Sequence, residues 1–382
     1  MVKRIRLALI FGGQSAEHEV SLASARSAMG AVDPARYEVL PIAITGAGEW
    51  LLGAPAAGLL DAAPTTDGVT PSGQGQGQGD AVEPSGLSES MVLSESMAVT
   101  ATQVARALSP TGPRPAGAPI DVVFPLLHGP HGEDGTVQGL LELAGVPYVG
   151  AGVAASAVGM DKILMKNLFR QAGLPVIPFV EVKRAAWRSD PSGVAGAVAE
   201  TIGYPCFVKP ANMGSSIGIS PVANPEGLAG ALDEAARYDR KLVVERAVPR
   251  PRELECGVLG NDALAVSVVG EIGVRDAAFY DYDAKYQPGA SDLIVPAELP
   301  RRLSERVRDL ARRAFLAVDA AGMARVDFLL GADDELYISE INTIPGFTPT
   351  SMFPLLWAAS GLPYPALIDR LVELAIERRR DV

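Results

Sequence analysis

The 382 residues carry 45 Asp and Glu against 33 Lys and Arg, a formal net charge of −12, and 48% of them are hydrophobic. A chain of this size holds two or three domains with substantial cores, and its negative charge disfavours nucleic acid and anionic membrane surfaces as partners while leaving room for a local basic pocket. Its two cysteines, Cys206 and Cys256, have no metal-type spacing and read as reduced core residues of a cytoplasmic protein.

The first segment, Met1-Val-Lys-Arg-Ile-Arg-Leu-Ala-Leu-Ile-Phe-Gly-Gly, has an apolar run far too short for a signal core or a membrane span. It predicts a buried strand and nothing that would export the chain. The loop from Gly12 to Glu19 then leads into a helix beginning near Ala16, with Glu17 in its first turn. Such a loop presents backbone N–H groups and the positive end of a helix, although alone it suits an ordinary tight turn equally. Strand-like and helix-like runs alternate through the first third, which predicts a doubly wound parallel sheet. From about Gly53 to Pro119 the composition shifts to Gly, Pro, Ser and Ala, with a Gly-Gln run from Gly73 to Gly79 and a near repeat of Leu-Ser-Glu-Ser-Met beginning at Leu87 and Leu93. This stretch predicts a mobile surface excursion without a catalytic role. Asp121 to Leu127 reads as another buried strand, ending in His128-Gly-Pro-His-Gly-Glu133-Asp-Gly135. Gly150-Ala-Gly152-Val-Ala-Ala155 imitates a dinucleotide fingerprint, but that pattern is a common accident in Ala/Gly-rich sequence.

From about Asp161 to Val244 the pattern is mixed helix and strand. Lys209 closes the apolar strand Cys206-Phe-Val-Lys and precedes Gly214-Ser215-Ser216-Ile-Gly218, whose glycines and hydroxyls suit a loop folded over phosphates. No GxxxxGK[ST] run occurs in the chain, which speaks against the P-loop enzymes. Phe279-Tyr-Asp-Tyr-Asp-Ala-Lys285-Tyr286 and the Pro/Gly/Ser-rich run to Asp292 read as a loop of lid length. Next, Ala324 to Leu330 and Leu336 to Asn342 predict a hairpin. With Asp333-Asp334 as a two-residue turn, Asp327 faces Glu340 and Arg325 faces Asn342, all on one face. Two carboxylates and an amide beside an arginine offer hard oxygen ligands of the kind Mg²⁺ takes when it also holds phosphates. The loop Thr343 to Ser351 is too rich in Pro, Gly and hydroxyls to continue the strand, and Ser351 is placed to cap a helix from Met352 to Ser360.

Arg325-Val-Asp327 and Glu340-Ile-Asn342-Thr-Ile-Pro-Gly346-Phe-Thr, with Gly12-Gly-Gln-Ser-Ala-Glu17-His-Glu-Val-Ser21 and the His128 to Gly135 motif, resemble the D-alanine:D-alanine ligases of the ATP-grasp superfamily. The resemblance covers nearly the whole chain outside the 53–119 excursion. It implies an α/β ATP-grasp fold, with an N-terminal Rossmann-like substrate domain (1–155) built on the doubly wound parallel sheet, a central ATP-grasp domain (156–250) and a C-terminal catalytic domain (251–382), the last two α+β units enclosing the nucleotide.

The implied activity is ATP-dependent joining of two D-alanines through an acyl phosphate, for peptidoglycan precursors, by a cytoplasmic homodimer without nucleic-acid or membrane partners. The resemblance carries Glu17 over to the ammonium of the first D-alanine, with His128 and Glu133 around the same site. Lys162 and Lys209 fall on the α and β phosphates, Ser215 and Ser216 on the covering loop, and Glu245 and Val248 on adenine. Glu253 falls on the ribose, with Glu255 left as the alternative because Pro249-Arg-Pro251 lengthens the connection. Lys285 matches the γ-phosphate lysine and Tyr286 the tyrosine bonded to Ser215. Asp327, Glu340 and Asn342 match the ligands of two Mg²⁺ ions, with Mn²⁺ able to replace them. Arg325 and the Gly346 N–H match the oxyanion donors, and Ser351, Met352 and Arg325 the second D-alanine site. A D-alanine:D-lactate ligase shares almost every motif, but the tyrosine at 286 favours the dipeptide. Other ATP-grasp carboxylate–amine ligases lack the Ser15 to Ser21 signature and the lid sequence.

Overall fold

A computed structural model of the chain describes residues 3–62, 120–274 and 291–380. The first sheet contains β1 (Ile5–Gly12), β2 (Tyr37–Ile44), β3 (Trp50–Leu52) and β4 (Val122–Pro125), in the order β3-β2-β1-β4. Strand β1 runs parallel to β2 and β4, whereas β3 is an antiparallel edge strand. The near-continuous apolar reading of β1 follows from cover on both faces. Leu7, Leu9 and Phe11 pack into one core, and Ala8 and Ile10 into another. Helix α1 (His18–Ala31) and α2 (Ala54–Ala62) cover the first face, and α3 (Thr136–Ala144) the second. Strand order reverses at β1, which opens a crevice at the carboxyl ends of β1 and β4, the usual ligand position in such a sheet.

Helix α4 (Val153–Met160) leads to α5 (Lys162–Gln171), whose start is fixed by the Asp161 carboxylate accepting from Ile163 N and Leu164 N. The second sheet is antiparallel and smaller. Its strands β5 (Phe179–Lys183), β6 (Cys206–Pro210), β7 (Ser220–Val222) and β8 (Lys241–Arg246) lie in the order β5-β8-β6-β7. The helices α6 (Arg184–Ser189), α7 (Pro191–Thr201) and α8 (Leu228–Tyr238) connect them. In the third sheet β9 (Arg252–Gly260), β10 (Ala265–Val274), β11 (Ser291–Ile294), β12 (Gly322–Leu330) and β13 (Leu336–Asn342) run antiparallel, ordered β11-β10-β9-β12-β13. Helix α9 (Arg301–Ala317) lays Leu303, Val307, Leu310 and Ala314 onto this sheet at helical spacing, while Arg308 reaches back to the Val266 and Ser267 carbonyls of β10 at 2.8 and 2.9 Å. After α10 (Met352–Ala359), α11 (Tyr364–Arg380) returns to the first sheet, where Leu367, Leu371 and Val372 join its core and Asp369 accepts from the Tyr37 hydroxyl at 2.7 Å.

Four local expectations change. Helix α1 starts at His18, with Glu17 at its N-cap position, two residues later than the composition suggested. The Gly/Pro/Ser-rich excursion does not begin at Gly53, because Ala54–Ala62 is a helix with Ala56 and Leu60 buried; the Gly-Gln run lies outside the described residues. The parallel sheet gains the antiparallel edge strand β3. The hairpin turn is not the Asp333-Asp334 pair: Leu330 pairs with Leu336, and a five-residue loop from Gly331 holds a 3₁₀ turn at Ala332–Asp334. A bulge at Ser339 then shifts the register by one, so that Asp327 still faces Glu340 and Arg325 still faces Asn342.

The carboxyl end of β1 tolerates only glycine at position 12. Gly12 has φ +88°, and a Cβ there would lie 2.1 Å from the Ile44 carbonyl oxygen. Gly12→Ala is expected to lower stability by about 2–4 kcal/mol, the combined scale of left-handed strain and overpacking, read as a lower urea midpoint; an unchanged midpoint would show that the loop relaxes freely.

Candidate active site

Two loops meet at the crevice of the first sheet. The Gly12 N–H donates to Ser21 Oγ at 2.7 Å and the Ser21 hydroxyl donates to the Leu126 carbonyl. Ser15 Oγ donates to the His128 carbonyl at 2.6 Å. Glu17 is thereby held with its carboxylate facing the second sheet, where it accepts the Ser215 hydroxyl. Glycines wall it in: a Cβ on Gly129 would come within 2.9 Å of Glu17 Oε2, and one on Gly214 within 3.2 Å. A cavity of about 250 Å³ opens here, lined by Gln14, Ser15, Glu17, His131, Met213 and Gly214 among others.

His128 is buried, and its Nδ1 lies 3.1 Å from the Ile344 carbonyl. Because a carbonyl only accepts, Nδ1 carries the proton, and Nε2 is the acceptor facing Ser24 Oγ at 3.4 Å. Burial pushes the imidazole below its ordinary range, so it is neutral at pH 7. Glu133 accepts from the Gly129 N–H at 2.7 Å. Burial first, and then the neighbouring Glu17 carboxylate, push it from its ordinary 4.5 up to about 8.

The second sheet brings the cations. Lys162 Nζ donates to the Met213 carbonyl at 2.7 Å and stands 3.9 Å from Glu340 Oε2; burial lowers its pKa. Lys209 donates to Glu245 Oε2 at 2.7 Å. Burial opposes the charge on Lys209, but the Glu245 carboxylate outweighs it and raises the lysine above its ordinary value, with Glu253 near enough to add to the effect. Burial likewise opposes ionisation of Glu245, yet Lys166 and Lys209 hold it down to about 2. Val248, on the connection after β8, is buried. The loop between β6 and β7 is locally strained: Ser215 and Ser216 have φ of +47° and +59° in succession. Left-handed backbone at non-glycine residues concentrates at ligand clamps.

The hairpin face completes the arrangement. Arg325 donates to both oxygens of Asp327 at 2.7 Å and lies 2.9 Å from Glu255 Oε2. Burial opposes its charge, but Asp327 and Glu255 keep it well above its ordinary range. Asn342 Nδ2 donates to Asp327 Oδ2 at 2.9 Å, which leaves the amide oxygen as the donor for a cation. Among the described residues no group of three or more His, Cys, Asp or Glu is gathered as a metal cage. Asp327, Glu340 and Asn342 instead offer two carboxylates and an amide, a set suited to Mg²⁺ that completes its shell with phosphate and water.

Several expected site residues look different in place. Ser351 occupies the N-cap position of α10, but its side chain caps nothing; its Oγ accepts from Thr348 N at 3.1 Å and bonds to Thr348 Oγ1 at 2.7 Å. A Cβ on Gly346 would meet Ser351 Oγ at 3.2 Å, so Gly346 and Ser351 are neighbours. The Met352 side chain is buried with Ile272 and Leu356. Lys285 and Tyr286 lie outside the described residues. Sequence reading missed Lys166, Ser24 and the role of Glu255. Lys166 carried a signal, since it stands four residues after Lys162 on one helix face.

The family described as D-ala D-ala ligase N-terminus matches residues 6–151, and that described as D-ala D-ala ligase C-terminus matches residues 168–373. A D-alanine–D-alanine ligase from Geobacillus thermodenitrificans is 46% identical over 378 residues, covering 99% of this chain and 97% of that protein. One from Listeria monocytogenes is 45% identical over 384 residues, covering 98% and 96%. Among solved structures, a D-alanine-D-alanine ligase from Coxiella burnetii superposes with a TM-score of 0.78 at 32% identity, covering 100% of this chain and 96% of that one. A D-Ala:D-Ser ligase from Enterococcus faecalis superposes with a TM-score of 0.79 at 31% identity, covering 98% and 100%.

The raised Glu133 has a consequence for stability. Between its ordinary 4.5 and about 8 the folded chain holds a proton that the unfolded chain releases, so this contribution is complete below pH 4.5 and is lost as pH rises through 8. Glu133→Gln is expected to flatten the decline of the urea midpoint between pH 5.5 and pH 8.5 relative to the parent. Parallel declines in the two proteins would show that Glu133 is ionised in the fold.

Proposed function

The chain belongs to the D-ala D-ala ligase family, and from that premise we propose that it joins two D-alanine molecules at the geometry above, with ATP as the energy source and ADP and phosphate as co-products. One observation carries this reading: Lys162 reaches both the Met213 carbonyl of the strained loop and Glu340 of the hairpin, so the phosphate loop and the hairpin face address one space. The division into substrate (1–155), central (156–250) and catalytic (251–382) domains belongs to the same reading.

In this reading the Gly214 to Gly218 loop, with the Ser215 and Ser216 hydroxyls, covers the phosphates, and Lys162 and Lys209 match their charge. Glu245, paired through Oε2 with Lys209 and through Oε1 with Lys166, accepts from the adenine amino group beside Val248 with a remaining lone pair. Glu255 is committed to Arg325, which favours Glu253 for the ribose hydroxyls. Glu17 holds the ammonium of the first D-alanine, next to neutral His128 and protonated Glu133, so that the positive substrate meets a single carboxylate charge. That substrate's carboxylate oxygen attacks the γ-phosphorus, the bond to ADP breaks, and an acyl phosphate forms; the family match assigns Lys285 to the γ-phosphate and Tyr286 to Ser215, both outside the described residues. Asp327, Glu340 and Asn342 would hold the divalent cation, assigned as two Mg²⁺ with Mn²⁺ as a substitute, which supplies charge neutralisation of the phosphates.

The second D-alanine lies with its carboxylate toward Ser351, Arg325 and the start of α10 at Met352. Its amine attacks the acyl carbon, Arg325 and the Gly346 N–H stabilise the oxyanion, and collapse expels phosphate while the nitrogen gives up a proton. No protein nucleophile is required.

The same reading makes the protein a cytoplasmic homodimer serving peptidoglycan precursor synthesis. No helix among the described residues is long and apolar enough to cross a membrane.

Purified protein with ATP, Mg²⁺ and D-alanine is expected to release phosphate only when D-alanine is present and to form the dipeptide. An ester formed preferentially with D-lactate, or an amide with D-serine, would overturn the choice of acceptor. Arg325→Ala is expected to lower kcat on the order of 10² to 10³-fold, the scale of one oxyanion donor; near-normal turnover in a folded variant would remove Arg325 from the chemistry.

A further inference from the structure

Lys166 is buried to 1% exposure, and the reaction just described gives it no substrate contact. It lies one turn beyond Lys162 on α5, with Met165 and Phe169 as inward neighbours. Its ammonium spans two sheets: Nζ stands 2.8 Å from Glu245 Oε1 on β8 and donates to the Ser339 carbonyl on β13 at 3.1 Å. A buried ammonium is an unfavourable choice for packing alone, since an apolar side chain of equal length fills the same volume without desolvation.

Ser339 is the inserted residue of the β12–β13 bulge. A bulge takes one residue out of the regular ladder, and the carbonyl it leaves must find another donor if water is excluded. Lys166 is that donor, and the next residue is Glu340.

We propose that Lys166 is a positioning residue for the cation-holding end of the hairpin: by binding the Ser339 carbonyl and the Glu245 carboxylate together, it fixes Glu340 relative to the adenine-side carboxylate. The nucleotide base and the divalent cation are then held in one register by one side chain. This rests on the reading that Asp327 and Glu340 hold the cation.

Lys166→Met preserves the length of the stem and removes both contacts. The free Mg²⁺ needed for half-maximal ADP binding, measured by calorimetric titration at varied Mg²⁺, is expected to rise about 10- to 100-fold, as it does when an outer partner of a metal-holding group is lost. The KM for D-alanine is expected to stay within about twofold, a split that general destabilisation would not produce. Glu245→Gln and the double variant Glu245→Gln/Lys166→Met separate the two contacts and provide folded protein if the single lysine variant leaves an intolerable buried carboxylate. The double variant is expected to need at least about fivefold more Mg²⁺ than Glu245→Gln alone. Equal requirements would make Lys166 only the counter-ion of Glu245 and overturn the proposal. Asp327→Asn is the reference. If it raises the Mg²⁺ requirement and Lys166→Met does not, this inference alone fails; if Asp327→Asn leaves the requirement unchanged, the cation reading of the hairpin fails and takes this inference with it.

Discussion

Charge removed from water has to be matched, and in this protein most of the matching groups come from separate elements, with α5 standing between the second and third sheets. Glu245 of β8 is neutralised by Lys209 of β6 and by Lys166 of α5, which also binds β13. Lys162 of α5 meets Glu340 of β13, and Arg325 of β12 is shared between Asp327 and Glu255 of β9. Leaving one of these groups buried and unmatched costs on the order of 3–5 kcal/mol, a large part of a typical folding free energy. The second and third sheets therefore cannot drift apart without breaking the contacts of Lys166 and Lys162, which reach both. A site made of long side chains from separate elements stays assembled for the same reason.

Apolar contacts tie the first sheet to this centre. Phe347, in the loop after β13, lies edge-on to Phe124 of β4 with ring centroids 5.1 Å apart, and its ring also meets Tyr364 at 5.3 Å. Such pairs add about 0.5–1.5 kcal/mol beyond burial. The loop's backbone is fixed too, since the Phe347 N–H faces Ser24 Oγ at 3.4 Å and the Phe347 carbonyl accepts from the Tyr364 hydroxyl at 2.6 Å. The Gly346 N–H, proposed above as an oxyanion donor, thus belongs to a segment braced from both ends, and a preorganised donor needs little rearrangement in a reaction.

What the sequence disclosed depended on whether a residue's surroundings are local. The buried strands β1 and β4 were legible as apolar runs, because a strand covered on both faces has no polar face to display. The facing of Asp327 with Glu340 was legible from alternation, although through the wrong turn. The slip itself was visible: apolar residues at Leu336, Ile338 and Ile341 break the two-residue period at Ser339-Glu340, where two half-buried positions follow one another. Helix α2 was hidden by its Ala and Gly content, which resembles the excursion that follows. Ser351 had the right residue type for a cap, but Thr348 supplies a nearer partner. Lys166 and Glu255 could not be assigned by pattern, since each is defined by a charge that only the tertiary fold brings within reach.

The contact between Ser215 and Glu17 joins the two sites proposed for the nucleotide and the amino acid. Ser215 is held at φ +47° in the loop proposed to cover the phosphates, and its hydroxyl is spent on the carboxylate proposed for the D-alanine ammonium. A left-handed serine and its left-handed neighbour together store a few kcal/mol of strain, which persists only while other contacts determine the loop. Glu17 is one of those contacts, with Lys162 holding the adjacent Met213 carbonyl as another. When a substrate ammonium draws on the Glu17 carboxylate, or a phosphate draws on Lys162, the competing demand falls on the same short loop. In the proposed assignment the ammonium site and the phosphate loop share Ser215, and any free energy that couples them acts equally in both directions.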